Sequence, residues 1–169
     1  MIYGSAVEFR KYITSRGREC KKEWLDNVIN AALLVASEWL DNKYEGIWIG
    51  YKTKGYNQIR SWPRSQASVQ TYPYYTYKND EIPRKVIEAT FEAAYRHLTD
   101  KNVLQPDFKP SQYRSVSISG AISVDYNDTV TSWSDAQTEF PIIQSLMSDL
   151  LDEQKGGNLS PLSGRVSRL

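Results

Sequence analysis

Few residues in this chain are of types that could do bond chemistry. His97 and Cys20 each occur once. One imidazole and one thiol cannot make a zinc set of the usual kind, and a single cysteine allows no intrachain disulfide. A serine triad would need His97 as its base, and nothing in the sequence sets it beside a serine. His97 falls instead in the last turn of a predicted helix, where a partly charged imidazole suits the negative end of the dipole. Glu88 with Glu92 and Asp149 with Asp152 are spaced as neighbours on a helix, and a solvated face is the ordinary reading of such pairs. GxGxxG, Walker A and GxSxG motifs are absent. The expectation is a protein that is not an enzyme and uses neither cofactor nor metal.

The chemistry that remains is recognition. Ile59-Arg60-Ser61-Trp62-Pro63-Arg64 places an indole between two guanidiniums on a non-helical elbow, because Pro63 fixes its own φ and pushes Trp62 toward an extended conformation. Four tyrosines follow around a proline, Tyr72, Tyr74, Tyr75 and Tyr77, and then Lys78. With Lys52, Lys54, Arg60, Trp62 and Arg64 they interleave aromatics with cations, a composition that could stack bases and follow a phosphate backbone. The same residue types anchor protein interfaces. The elbow reads as architectural: Trp62, Pro63 and Pro83 form a structural set, with Trp62 anchored against the long helix. Arg60, Arg64, Tyr72, Tyr74, Tyr75 and Tyr77 are then expected at a contact between subunits.

Helices are predicted on either side of this stretch. Ser5 and Glu8 have capping-box spacing, Phe9, Tyr12 and Ile13 form one apolar face, and Gly17 ends the segment. Lys21 to about Asn42 is the longest periodic run, with Trp24, Leu25, Val28, Ala31 or Ala32, Val35 and Trp39 as its buried stripe. Ile47 to Tyr51 has strand composition, weakened by Gly50. Residues 52–82 hold no helical period. Pro83 suits the first turn of a helix whose stripe is Val86, Ile87, Thr90, Ala93, Ala94 and Leu98. Ser115–Ser119 and Ala121–Tyr126 both alternate and read as a bent strand or hairpin arm. Pro141 opens a last helix with Ile142 or Ile143, Leu146, Met147 and Leu150 inward.

The fold class expected is mainly α: a bundle of about four helices with a small β arm or hairpin and an extended C-terminal tail. A chain of 169 residues fits one domain, residues 1–155, with 156–169 as an arm that carries no acidic residue. Leu159, Leu162, Arg165, Val166, Arg168 and Leu169 are its candidate docking residues. Twenty-one basic against 20 acidic residues give a formal net charge of +1, so any site for a polyanion must be local. Neither a signal peptide nor a membrane span is expected from the apolar runs.

The order of these features resembles a tailed-phage family of head-to-tail connector, or adaptor, proteins often labelled DnaT-like. The resemblance covers roughly residues 5–151: Arg16-Gly17 ending the first helix, Ala31-Ala-Leu-Leu in the long helix, Ser61-Trp-Pro-Arg64, Ile82-Pro83 with Glu88-Ala89, Ile122-Ser-Val-Asp-Tyr126 and the Pro141 helix. Trp62-Pro63-Arg64 and Ile82-Pro83 are its most specific parts. The tyrosine-rich segment 71–77 and the tail after Gly156 depart from it. The resemblance implies a structural virion protein in the phage neck, assembled in the host cytoplasm. It would form a ring, commonly of twelve copies, between the portal protein and the tail nozzle or tube, and pass double-stranded DNA without binding its sequence. The C-terminal arm would dock on the portal, and no membrane is involved. The alternative is a phage DnaT-like replication protein that binds single-stranded DNA.

Overall fold

The computed structural model describes residues 1–69, 74–104, 115–118, 122–125 and 139–152. Its helices are α1 (Ala6–Ser15), α2 (Asp26–Lys43), α3 (Arg84–Thr99) and α4 (Pro141–Met147), the last continuing as a 3-10 turn over Ser148–Leu150. Six short strands, β1 (Tyr51–Lys52), β2 (Arg64–Ser65), β3 (Ser68–Val69), β4 (Tyr75–Thr76), β5 (Ser115–Ile118) and β6 (Ile122–Asp125), pair antiparallel as β1–β2, β3–β4 and β5–β6. The mainly helical class with a small β arm holds. In that arm Val116 pairs with Val124 and Ile118 with Ile122. The proposed docking residues Leu159, Leu162, Arg165, Val166, Arg168 and Leu169, and also Tyr72, lie outside the described residues.

Local signals set the ends of α1. The Ser5 hydroxyl accepts from the Glu8 amide at 3.3 Å and donates to the Glu8 carboxylate at 2.7 Å. At the other end Gly17 takes φ +68°, its N–H donates to the Thr14 carbonyl, and the Arg18 N–H reaches back to the Ile13 carbonyl. This pair of bonds is the Schellman closure that a left-handed glycine permits. It folds Arg18 back toward the helix it has just left.

The long helix differs from expectation. It begins at Asp26, not Lys21, because Arg10 fixes the preceding turn by donating to the Trp24 carbonyl and pairing with Asp26. Its buried side chains include Ile29, Ala32, Leu33, Ala36 and Leu40, whereas Leu25 and Val28 are exposed. Of the expected stripe Trp24, Ala32 and Trp39 are buried, and packing against α3 adds Ile29, Leu33, Ala36 and Leu40, which were not expected. In α3 the buried set is Val86, Ala89, Thr90, Phe91, Glu92, Ala93 and Ala94, with the Thr90 hydroxyl satisfied by the Val86 carbonyl. Ile143, Met147 and Leu150 close the core from α4 and its 3-10 extension, and Leu151 bridges Trp48.

Glu92 was expected on a solvated face and is instead fully buried. Tyr12 donates to it at 3.1 Å, Arg18 at 2.9 Å and Arg96 at 2.7 Å, with Arg16 at 3.8 Å. Burial alone would push this carboxyl up, but the hydrogen bonds from Arg96 and Arg18 reverse the balance and hold it below its ordinary 4.5. The carboxylate therefore clamps α1, the Gly17 turn and α3 together.

The elbow is the second clamp. Trp62 is buried with its ring edge-on to Trp48 (6.0 Å) and to Tyr77 (5.6 Å), and the Trp62–Pro63 peptide is cis. The Trp62 N–H donates to the Tyr3 hydroxyl, which donates to Asp41 on α2, while the Tyr3 amide donates to Ser37 on the same helix. Trp62 thus reaches the long helix through Tyr3. Arg60 and Arg64 do not face outward, which corrects the expectation that they contact a neighbouring subunit. Arg60 donates to the Met1 carbonyl and to Glu38 and lies 3.5 Å from Asp41. Arg64 donates to the carbonyls of Ile49, Gly50 and Ser61, and burial lowers its pKa.

Two measurements check these clamps. Trp62→Ala should cost about 3–5 kcal/mol in urea unfolding, as large aromatic truncations in cores do. Glu92→Gln should cost about 1–3 kcal/mol at neutral pH, the Arg partners being partly solvent-screened. Because the folded pKa of Glu92 is depressed, its contribution is present above pH 4.5 and is lost as pH falls through the folded value. The stability gap between wild type and Glu92→Gln should therefore narrow in acid; a gap that widened would contradict the clamp.

Candidate nucleic-acid interface

The segment between β1 and β4 carries the exposed aromatics. Its backbone is braced before any side chain is considered. Gly50 sits at φ +65°, and a Cβ there would lie 2.8 Å from the Ala67 nitrogen and closer still to the Ser65 carbonyl oxygen. Only glycine lets the chain entering β1 pass this close to the residues that join β2 to β3. Gln58 closes the turn that follows β1: its amide oxygen accepts from the Lys54 N–H, and its amide nitrogen donates to the carbonyls of Arg60 and Pro63. The Thr53 hydroxyl donates to the Asn79 carbonyl at 2.9 Å, tying the first hairpin to the chain that leaves the second.

From this frame Tyr56 projects wholly into solvent (102% exposed) and Tyr74 nearly so (75%), with Tyr51 and Tyr75 also exposed. Tyr75 is held in place, its ring on Tyr77 at 4.9 Å and its hydroxyl donating to Glu81 at 3.1 Å, a bond that raises its pKa. Lys54 and Lys78 are exposed, and Lys52 is 3.7 Å from Glu45. Of the residues read as a recognition platform, the structure thus brings Tyr74, Tyr75, Lys54 and Lys78 to the surface. Arg60, Trp62 and Arg64 go into the core, and Tyr77 is half-buried against Trp62. Tyr51 and Tyr56 were not singled out, although an aromatic within a Lys- and Gly-rich turn was a usable signal.

A different set of arginines is presented to solvent. Around Glu92, Arg16 covers the Tyr12 ring at 4.3 Å, Arg18 the Tyr95 ring at 5.1 Å and Arg96 the Phe140 ring at 5.2 Å. The Arg16-Gly17 turn was legible as a helix stop but not as the device that places these guanidiniums.

His97 shares a groove of about 520 Å³ with Trp24, Val28, Ala31, Val35 and Leu98. Burial lowers its pKa, which works against the partly charged imidazole expected at the helix end. Among the described residues no group of His, Cys, Asp or Glu is placed to hold a metal ion, and no helix is long and apolar enough to cross a membrane.

Comparison with known proteins gives one family. Its model, described as "Putative DnaT-like ssDNA binding protein", matches residues 2–169. No curated protein and no solved structure matches the chain. The family's description supports the DnaT-like label and overturns the expected role as a virion head-to-tail adaptor joining portal to tail, together with the structural virion terms attached to it. Matched over almost its whole length, the chain belongs to the family of DnaT-like ssDNA binding proteins.

Proposed function

We propose that this protein binds single-stranded DNA, without catalysis, through the tyrosines and lysines of the β1–β4 segment. The family match carries the reading. The geometry supports it in three ways. Tyr56 and Tyr74 stand largely in solvent, and a single strand, whose bases are not paired, can lay those bases on their rings. The turn bearing Tyr56 is already fixed by Gln58, so little ordering is left to do on binding. Lys54 and Lys78 supply point charges for the backbone without the long-range field that a strongly basic protein would have.

Affinity built this way depends more on stacking than on salt. Each stacked base is worth about 1–3 kcal/mol, so Tyr56→Ala and Tyr74→Ala should each weaken binding of labelled oligo-dT by roughly tenfold in fluorescence anisotropy. Lys54→Gln with Lys78→Gln should leave base stacking intact and flatten the dependence of log K on log salt by about 0.7 for each phosphate no longer neutralised. Absence of micromolar, salt-sensitive binding by the wild-type protein would sink the proposal.

A further inference from the structure

Glu92 neutralises one unit of charge, yet three guanidiniums converge on it. Among the described residues it is the only carboxylate in ion-pair contact with Arg16, Arg18 or Arg96, so the cluster keeps a surplus of two positive charges. The neighbouring acid on α3, Glu88, is occupied by Arg84 at 2.8 Å, and Asp26 is occupied by Arg10 at 2.6 Å. The surplus is not hidden. The side chains of Arg16, Arg18 and Arg96 are 40%, 28% and 25% exposed.

Each guanidinium is also fixed in orientation before any ligand arrives. One face rests on an aromatic ring, Tyr12, Tyr95 or Phe140, and Arg18 and Arg96 each spend one N–H on the Glu92 carboxylate. Arg96 spends the same nitrogen on the Glu92 carbonyl. A guanidinium has five N–H donors in a planar fork matched to the oxygens of a carboxylate or phosphate, so among the described residues most donors of all three are unspent. Arg16, at 3.8 Å, is the least committed. A dianionic or multiply charged oxyanion fits a surplus of two charges better than a monocarboxylate does.

We propose that Arg16, Arg18 and Arg96, oriented by the buried carboxylate of Glu92, form a phosphate-binding site. The site lies on the turn that closes α1 and on α3, and it stands independently of the tyrosine surface. The single-strand reading enters only as one source of the phosphate, the other being a free phosphate compound.

The test uses two probes, inorganic pyrophosphate and labelled oligo-dT, on the full chain. Arg16→Gln is the main variant, because Glu92 then keeps its bonds from Tyr12, Arg18 and Arg96 and the fold survives. Arg84→Gln is the control: it removes the same charge from an exposed side chain three turns up α3, about 18 Å from Arg96. By calorimetry, Arg16→Gln and Arg18→Gln should each weaken pyrophosphate binding by about tenfold, Arg84→Gln by less than about twofold, and Arg16→Lys should recover part of the affinity. If the strand supplies the phosphate, Arg16→Gln should also reduce the salt slope of oligo-dT binding by about 0.7. An unchanged slope with weakened pyrophosphate binding assigns the site to a free phosphate compound. Pyrophosphate binding without any oligo-dT binding defeats the single-strand reading and leaves this site in place. The site is overturned if wild type binds neither probe, or if Arg16→Gln and Arg18→Gln behave as Arg84→Gln does with both.

Discussion

The contact on which most of the architecture depends is the hydrogen-bond relay from the Trp62 N–H through the Tyr3 hydroxyl to Asp41. Three segments far apart in sequence meet there: the N-terminal residues before α1, the middle of α2 and the elbow. Burying a polar relay is costly, and here Arg60 beside Asp41 and the Ser37 hydroxyl that receives the Tyr3 amide offset part of that cost. Burial raises the pKa of both Tyr3 and Asp41, and the hydrogen bond between them partly offsets this for the carboxylate. Once Trp62 is fixed, its ring seats Trp48 and Tyr77, and the two hairpins inherit their position from it. The exposed tyrosines are therefore presented by a core contact, although none of them belongs to the core.

Glu92 does at the other side of α3 what Asp41 does on α2. In each case a buried acid gathers arginine and tyrosine from distant segments. The difference lies in the balance of charge. Asp41 and Glu38 share the single Arg60, so that cluster has no cation to spare, whereas Glu92 faces three guanidiniums. One clamp is closed to solvent electrostatics and the other is open to it.

What could be read in the sequence follows from the range of the interactions. The start and stop of α1, the openings of α3 and α4 at Pro83 and Pro141, and the β5–β6 hairpin are set by residues within a few positions of each other, and these were legible. The buried face of α2 was legible only through Ala32 and Trp39, because Val28, Ala31 and Val35 form as good a stripe as Ile29, Leu33, Ala36 and Leu40 until α3 is placed. The fate of Arg60 and Arg64 was hidden for a different reason: most of their partners are backbone carbonyls, which no residue type advertises. Glu92 looked like one of a solvated pair because the arginines that enclose it, apart from Arg96, come from α1 and its closing turn. The tyrosine-rich surface was seen in part, through Tyr74 and Tyr75, while the turn that raises Tyr56 became visible only with the bonds of Gln58.

The inward turn of Arg60 and Arg64 has a kinetic meaning. Two cations that would have stood at the centre of the tyrosine surface are consumed by carbonyls and acids inside the protein, and the chain as a whole carries a net charge of only +1. Encounter with a polyanion at that surface is then little accelerated by long-range attraction, so association belongs in the unsteered range of about 10⁵–10⁷ M⁻¹s⁻¹. On the proposed single-strand reading, discrimination among strands would fall to the dissociation step. How long a strand stayed would then be set by how many tyrosine rings it covered at once.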